Sequence, residues 1–302
     1  MINNNGIKWF INLSLQFVVT LMSCNKDSPT KKVLIKFQGE KRICIIEKSD
    51  NSILNQPPLL IILHGHNESA SFIRYRIKNS NVFTKSGMLV VYPNGSGLIR
   101  HNWDDFKTQI DFINTIIDSF SIKFKIDTTK IYIAGFSQGG MLAYRMACEH
   151  SERIAAVAMI SSQIDSNYVN NSCTMQRAVP LISINSKVDR ACPFDSFTFK
   201  GKWFNSVQSG VAAWAYKSGC NIAPDSVYHS NNYEVNIWKK DNLEITTLWA
   251  LKNGGHAWPQ GRGLFYIKQF EPSKIINANE IIWEFISNKS TSNRLGSTVK
   301  FQ

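Results

Sequence analysis

Short, continuously apolar stretches recur along the chain and alternate with amphipathic ones. An uninterrupted apolar run of five to eight residues is typical of a strand that is buried on both faces of a sheet. The turn-rich segment before the first of these runs, "KSDNSILNQPP", supports a strand start there. We therefore predict buried strands over residues 59–63, 88–92, 130–135, 154–160, 180–184 and 244–251.

Helical periodicity separates several of these runs and closes the folded region, at 108–125, 138–150, 205–218 and 274–288. Strands that alternate with helices predict an α/β fold, with a mostly parallel sheet and helices on both faces. Residues 33–47 contain two β-rich runs, which predict an antiparallel hairpin at an edge of the sheet. We interpret the aromatic and polar segment 196–243 as an insertion over the sheet.

The N-terminal region has the pattern of an export signal. Lys8 precedes an apolar run from Trp9 to Met22, which is shorter than the roughly 20 residues of a membrane-spanning helix. The following "LMSC" ends at Cys24 and resembles a bacterial lipobox. We therefore expect residues 1–23 to be removed and Cys24 to carry a lipid. A generic export signal remains the alternative, because Met22 is not the usual small residue.

Composition is consistent with one globular domain. The 302 residues are 43% hydrophobic, and we assign 24–32 to a tether, 33–288 to the domain and 289–302 to a polar tail. The net charge of +12 is spread along the chain without the basic runs of a nucleic-acid-binding arm. We interpret it as a solvated basic surface, with attraction to anionic lipid or acidic polysaccharide as the alternative.

Five cysteines follow Cys24, an odd number, so at least one has no partner within the chain. Their connectivity cannot be deduced from the sequence. None has the close spacing to histidine or cysteine that a zinc site needs, and we expect neither a metal nor a cofactor. The five are Cys44, Cys148, Cys173, Cys192 and Cys220.

The first candidate for chemistry is "GFSQGG", residues 135–140, which follows a predicted strand and opens a predicted helix. Glycines on both sides of Ser137 permit the strained turn that lifts a nucleophilic serine above the sheet. The N–H of Gln138, at the positive end of the helix, would face an oxyanion formed beside Ser137.

A serine hydroxyl needs a base, which is itself oriented by a carboxylate, and in this strand-turn-helix context the expected chain order is serine, acid, histidine. Asp189 lies in the first turn of the loop after "PLISI". Asp195 is the alternative, although it lies further from the strand and beyond Pro193. The base predicted by this order is His256, in "NGGHAWPQG".

The surroundings of His256 suit a catalytic loop. Gly254 and Gly255 would let the imidazole approach Ser137 without interfering side chains, and Trp258 and Pro259 would stiffen the loop and line the pocket. His150 and His229 are predicted to lie on the surface.

The loop after the first buried strand should supply a second oxyanion donor. In "LHGHN" we interpret His64 as structural and the backbone N–H of His66 as that donor, with a shift of one residue as the alternative.

Together these motifs resemble the α/β-hydrolases identified as polyhydroxybutyrate depolymerases and the related feruloyl and acetylxylan esterases. The resemblance spans roughly residues 33–288, and "GGHAWP" combined with the serine motif is its most specific part. It implies the α/β-hydrolase fold, Ser137, Asp189 and His256 as catalytic residues, and an ester substrate. Trp103, which follows "YPNG", becomes a second candidate for the substrate pocket. The chain has Gln138 where this family more often has Asn.

The sequence therefore predicts an exported, lipid-anchored serine esterase that needs no cofactor. Its expected substrate is a polymer or oligomer, either a polyhydroxyalkanoate or an acylated polysaccharide, and we expect no nucleic-acid partner. A peptidase of the prolyl-oligopeptidase type is one alternative, although the chain has no propeller. A non-catalytic glycan-binding protein is the other, suggested by the eight tryptophans.

Overall fold

The computed structural model describes residues 30–49, 54–97, 100–199, 202–264 and 267–292. The predicted signal peptide and Cys24 lie outside these residues, as does most of the predicted C-terminal tail. Within the described residues, no helix combines the length and the apolar character that crossing a membrane requires.

Ten of the described strands form a single sheet. Numbered along the chain, they are arranged in the order β1-β2-β4-β3-β5-β6-β7-β12-β11-β10, and β8 and β9 form a separate hairpin. The strands are β1 Thr30–Phe37, β2 Glu40–Glu47, β3 Leu59–Leu63, β4 Leu89–Pro93, β5 Ile131–Phe136, β6 Ala156–Ile160, β7 Leu181–Ser186, β8 Phe197–Phe199, β9 Lys202–Phe204, β10 Ser226–His229, β11 Tyr233–Lys240 and β12 Leu243–Leu251.

The centre of the sheet is parallel, from β4 through β3, β5, β6 and β7 to β12. Antiparallel strands complete both edges, β1 and β2 at one and β11 and β10 at the other. The predicted mostly parallel sheet and its hairpin edge are therefore confirmed. The first strand begins at Thr30, so residues 30–32 of the predicted tether belong to the sheet and pair with β2.

Helices cover both faces of the sheet. The strand β3 shows why: Leu59, Ile61 and Leu63 join one hydrophobic cluster, and Leu60 and Ile62 join the other. Helices α3, α4 and α6 pack on the first cluster, and α1, α2 and α7 on the second. The helices are α1 Ala70–Ile77, α2 Asn81–Lys85, α3 Phe106–Phe124, α4 Gln138–Glu149, α5 Ser166–Asn171, α6 Val207–Lys217 and α7 Ala278–Ile286, with a short 3₁₀ helix at Lys268–Phe270.

The interpretation of residues 196–243 as an insertion over the sheet is wrong in part. Two of its segments, β10 and β11, extend the sheet itself, and α6 packs against β12. The burial pattern explains the error, because β10 is mostly exposed and β11 is only half-buried. Edge strands of this kind lack the continuous apolar runs by which the central strands were predicted.

Two of the cysteines form a disulfide, Cys148 with Cys173, which joins the end of α4 to the segment after α5. Cys44, Cys192 and Cys220 are buried and unpaired. The five cysteines after Cys24 therefore form one disulfide and leave three buried thiols among the described residues.

Candidate active site

Ser137 occupies a sharp turn between β5 and α4. Its backbone has φ 53° and ψ −121°, a conformation that a residue with a side chain rarely adopts. The turn is tight because glycines surround it. A Cβ atom on Gly135 would lie 2.2 Å from the carbonyl oxygen of Gly139, and one on Gly139 would lie 2.5 Å from those of Leu63 and His64. Only glycine fits at these two positions.

Asp189 and His256 form a buried hydrogen bond. The His256 Nδ1 atom lies 2.7 Å from Asp189 Oδ2, and the Asp189 side chain is 1% exposed. The other carboxylate oxygen, Oδ1, accepts the backbone N–H groups of Ala191 and Cys192 at 2.8 and 2.9 Å. A carboxylate only accepts, so Nδ1 donates a proton to it and Nε2 is the nitrogen that can act as a base.

Backbone contacts fix the loop that carries His256. The N–H of Gly255 donates to the Glu271 carbonyl at 2.7 Å, and the N–H of His256 donates to the Gln269 carbonyl at 2.6 Å. This approach is so close that a Cβ atom on Gly255 would lie 2.0 Å from the Gln269 oxygen. The glycine before His256 therefore serves to pack the loop against the segment around Gln269.

The His256 loop also contacts the Ser137 turn. The imidazole ring lies 4.9 Å, centre to centre, from the ring of Phe136, the residue before Ser137. Within the described residues, neither Ser137 Oγ nor His256 Nε2 has a hydrogen-bond partner, including each other. Ser137 follows β5 and His256 lies in the loop after β12, so both residues lie at the carboxyl edge of the sheet.

Two backbone N–H groups border the same region. His66 lies in the turn after β3 and Gln138 begins α4, and neither N–H donates to another described residue. The turn after β3 is held by Asn67, whose N–H donates to Asn102 Oδ1 at 2.8 Å. Unpaired N–H groups near a serine are the components of an oxyanion hole.

The Gln138 side chain joins the turn to a neighbouring loop. Its Oε1 accepts the backbone N–H of Trp103 at 3.2 Å, and its Nε2 donates to Asp104 Oδ1 at 3.2 Å. An asparagine, one methylene shorter, would not span the same gap without movement of the loop. The glutamine at this position thus has a structural partner that the sequence alone did not indicate.

His64 is a structural residue, as predicted. The ring is fully buried, its Nδ1 lies 2.7 Å from the Gly65 carbonyl, and its Nε2 accepts the N–H of Gly95 at 2.9 Å. Burial lowers the pKa of His64 to about 3, so the ring is neutral. It connects the end of β3 to the loop after β4.

The two tryptophans expected in the substrate pocket are not there. Trp103 is fully buried, with its ring 4.5 Å from that of His64 and its N–H donating to the His64 carbonyl at 2.7 Å. Trp258 is fully buried as well, and its N–H donates to Asn279 Oδ1 at 2.9 Å. Neither offers surface to a ligand, so the prediction is corrected: both hold loops in place.

The competing acid and histidines lie elsewhere. Asp195 is exposed, whereas Asp189 is the carboxylate that contacts His256. His229 is exposed at the sheet edge, and His150 pairs with Asn114 at the end of α4. No cluster of three or more potential metal ligands occurs in the part of the chain that the structure describes.

Sequence reasoning missed a buried ion pair next to the site. Glu68 accepts the N–H of Gly65 at 3.0 Å, and its partner Arg76 places its guanidinium 4.6 Å from the Phe136 ring. A charged residue eight positions before an arginine carries no recognisable motif. The one available signal was Arg76 itself, a charge within an otherwise apolar helix face.

Comparison with known proteins agrees with the observed fold. Residues 58–181 match the family described as the alpha/beta hydrolase fold. The acetyl xylan esterase from Aspergillus awamori superposes with a TM-score of 0.61, covering 76% of this chain and 94% of that one, at 16% sequence identity. A likeness at this identity shows the fold.

Two curated relatives are similar in sequence. The bifunctional acetylxylan esterase/xylanase XynS20E of Neocallimastix patriciarum is 31% identical over 153 residues, which cover 50% of this chain and 22% of that protein. Feruloyl esterase B of Piromyces equi is 26% identical over 226 residues, which cover 70% of this chain and 42% of that protein. The chain thus matches less than half the length of either relative.

Proposed function

We propose that this chain, which has the α/β-hydrolase fold, is a serine carboxylic ester hydrolase. The observation that carries the proposal is the buried Asp189–His256 hydrogen bond, 2.7 Å long, beside a serine held at φ 53° by its turn. A neutral imidazole oriented by a carboxylate is the base that a serine nucleophile needs.

The proposed reaction proceeds through an acyl-enzyme. His256 Nε2 takes the proton of Ser137 as Oγ attacks the ester carbonyl, and Asp189 stabilises the imidazolium that forms. The N–H groups of His66 and Gln138 hold the oxyanion, and the protonated His256 then gives its proton to the departing alcohol. Water repeats the sequence on the acyl group and restores Ser137. The Ser137–His256 hydrogen bond would form with substrate present, as is common when a free enzyme has looser geometry.

The proposed substrate is an acylated polysaccharide. Two relatives are named acetylxylan esterase and feruloyl esterase, and one solved structure with the same fold is named acetyl xylan esterase. These names favour acetyl or feruloyl esters of xylan over the polyhydroxyalkanoates that the sequence resemblance also implied.

A panel of esters tests this function. We expect the protein to release p-nitrophenol from p-nitrophenyl acetate and to deacylate acetylated or feruloylated xylan, and Ser137→Ala to lower the rate on the order of 10⁴-fold or more. A Ser137→Ala rate within tenfold of the parent would contradict the mechanism. Cleavage of peptide anilides with no ester hydrolysis would point to a peptidase, and inactivity on every ester to a non-catalytic role.

We further propose that the protein is exported and anchored to the cell envelope through a lipid on Cys24. The motif "LMSC" and the preceding apolar run support this location, and the Cys148–Cys173 disulfide suits an oxidising compartment. The protein should partition into the detergent phase with membranes, and Cys24→Ala should release it. An unlipidated N-terminus mapped at another residue would rule out the anchor.

A further inference from the structure

A separate cleft lies beside the loop that leads to His256. It has a volume of about 570 Å³, and its walls are residues 252–255, 268–269 and 271–274, with the two residues Val188 and Arg190 on either side of Asp189. Ser137, Asp189 and His256 themselves do not line it. The cleft therefore touches the loops that carry the acid and the base without being the place where the ester carbonyl reacts.

The charge of this cleft is unbalanced. Its ionisable side chains are four cations and one acid, Glu271, the cations being Arg190, Lys252, Lys268 and Lys274. None of the four forms an ion pair with a described acidic residue. Lys252 donates to the Ser230 carbonyl at 2.8 Å, which positions the ammonium without neutralising it. Like charges that converge on one concavity repel each other and raise the local concentration of anions.

The remaining lining is polar and suits a hydroxylated ligand. Asn253, Gln269 and Ser273 contribute to the walls, and Ser273 Oγ donates to Asn253 Oδ1 at 2.7 Å. The volume is within the range of small-molecule sites, and the concave shape fits a few sugar units better than a flat membrane surface. Cations and amides together are the groups that bind carboxylates and hydroxyls.

We propose that this cleft binds a uronate-bearing segment of the polysaccharide whose ester is hydrolysed at Ser137. The inference rests on the proposed function for the identity of the polymer. The carboxylates of the sugar would pair with Lys268, Lys274 and Arg190, and its hydroxyls would meet Asn253 and Gln269. Because residues 252–255 lead directly into His256, a chain held here lies next to the reacting ester.

Binding is tested on the full-length Ser137→Ala protein by calorimetry, with trigalacturonate as the probe and xylotriose as the neutral control. We expect saturable binding of trigalacturonate that weakens as salt is raised, and no binding of xylotriose at the same concentrations. The double variant Lys268→Gln/Lys274→Gln should lose at least tenfold in affinity. Both side chains are exposed, so the variant should fold, which its thermal midpoint would verify.

A matched control removes the same charge elsewhere. Lys36→Gln/Lys41→Gln changes two exposed lysines that pair across the hairpin at the sheet edge formed by β1 and β2. Its affinity for trigalacturonate should equal that of the parent. If both double variants lost the same affinity for trigalacturonate, the effect would come from the overall positive charge of the protein, and the proposal would be overturned. Absence of trigalacturonate binding would overturn the proposal as well. So would the finding that the double variant weakens binding to phosphatidylglycerol vesicles but not to trigalacturonate.

The esterase function and the uronate site can be rejected independently of each other. Hydrolysis of p-nitrophenyl acetate by the parent protein without trigalacturonate binding would remove only the uronate site. Trigalacturonate binding without hydrolysis of any ester would remove the proposed esterase function and leave a site for acidic sugars.

Discussion

Glu68 and Arg76 form an ion pair, with Glu68 Oε1 3.0 Å from Arg76 Nε and the Arg76 side chain 2% exposed. Burial raises the pKa of Glu68 and lowers that of Arg76, and the attraction between the two opposes both shifts. Glu68 also accepts the N–H of Gly65, and Arg76 lies over Phe136, which contacts His256. The pair thus joins the turn that carries the His66 N–H to the surroundings of the base.

The first prediction concerns this pair. Glu68→Gln should lower kcat by roughly tenfold to 10²-fold with KM nearly unchanged, because a displaced His66 N–H loses contact mainly with the charge of the transition state. Stability should fall too, since Arg76 is left buried without its counter-charge. Steady-state kinetics and a thermal unfolding curve measure the two effects.

Glu47→Gln is the matched control for Glu68→Gln. Glu47 is a buried carboxylate on β2 that pairs with Arg74 and accepts the Tyr92 hydroxyl at 2.8 Å, away from the site. It should lower stability and leave kcat intact. If Glu68→Gln did the same, the Glu68–Arg76 pair would be structural only.

The second prediction separates the two acid candidates. Asp189→Asn should keep the loop but favour the wrong imidazole tautomer, lowering kcat by about 10⁴-fold. Asp195→Asn should change kcat little, because Asp195 is exposed and does not contact His256. Both variants are compared on one soluble ester. A large loss of kcat in Asp195→Asn, with kcat of Asp189→Asn close to that of the parent, would refute the assignment.

The third prediction concerns pH and His64. Its pKa is lowered to about 3 in the folded protein, so its contribution to stability is complete above pH 6.5 and is lost as the pH falls from 6.5 towards 3. A shift of this size corresponds to roughly 5 kcal/mol over that window. Protonation of Nε2 would also break its bond with the Gly95 N–H. The ring resonances of His64 should therefore not titrate between pH 5 and pH 8, and a midpoint near 6.5 would contradict the assignment.

The fourth prediction concerns the Ser137 turn. Gly139→Ala places a methyl group 2.5 Å from two backbone oxygens of the β3 end, so α4 must shift and carry Ser137 with it. Both kcat and the free energy of unfolding should fall. Gly39→Ala is the control: Gly39 has φ +83° in the turn between β1 and β2, and its methyl group would have open space. It should cost about 1 kcal/mol of stability, the cost of a side chain at positive φ, and leave kcat unchanged.

The sequence predicted the central sheet because its strands are buried on both faces and therefore read as continuous apolar runs. The helix expected over 274–288 is shorter, Ala278–Ile286, since the Asn277 side chain caps its start by accepting the Asn279 N–H. Asp189 was identifiable because it lies in the first turn of the loop after β7, and its contact with His256 agrees with that prediction.

The errors concern side chains whose partners are distant in sequence. Trp103 and Trp258 are aromatic residues next to motif loops, which favoured pocket positions, but each buries its ring and satisfies its N–H with a remote oxygen, His64 O and Asn279 Oδ1. Arg76 was missed for the same reason, because its guanidinium lies over Phe136, 60 positions along the chain. Contacts between distant segments determine where such side chains lie, and a local sequence pattern does not show those contacts.

The loop carrying His256 is anchored through the carbonyls of Gln269 and Glu271, which every amino acid supplies, and not through their side chains. The side chains at positions 269 and 271 can therefore change during evolution while the imidazole keeps its place. Under the proposed glycan binding, substitutions at these two positions would change which sugars the cleft accepts before they changed the position of His256.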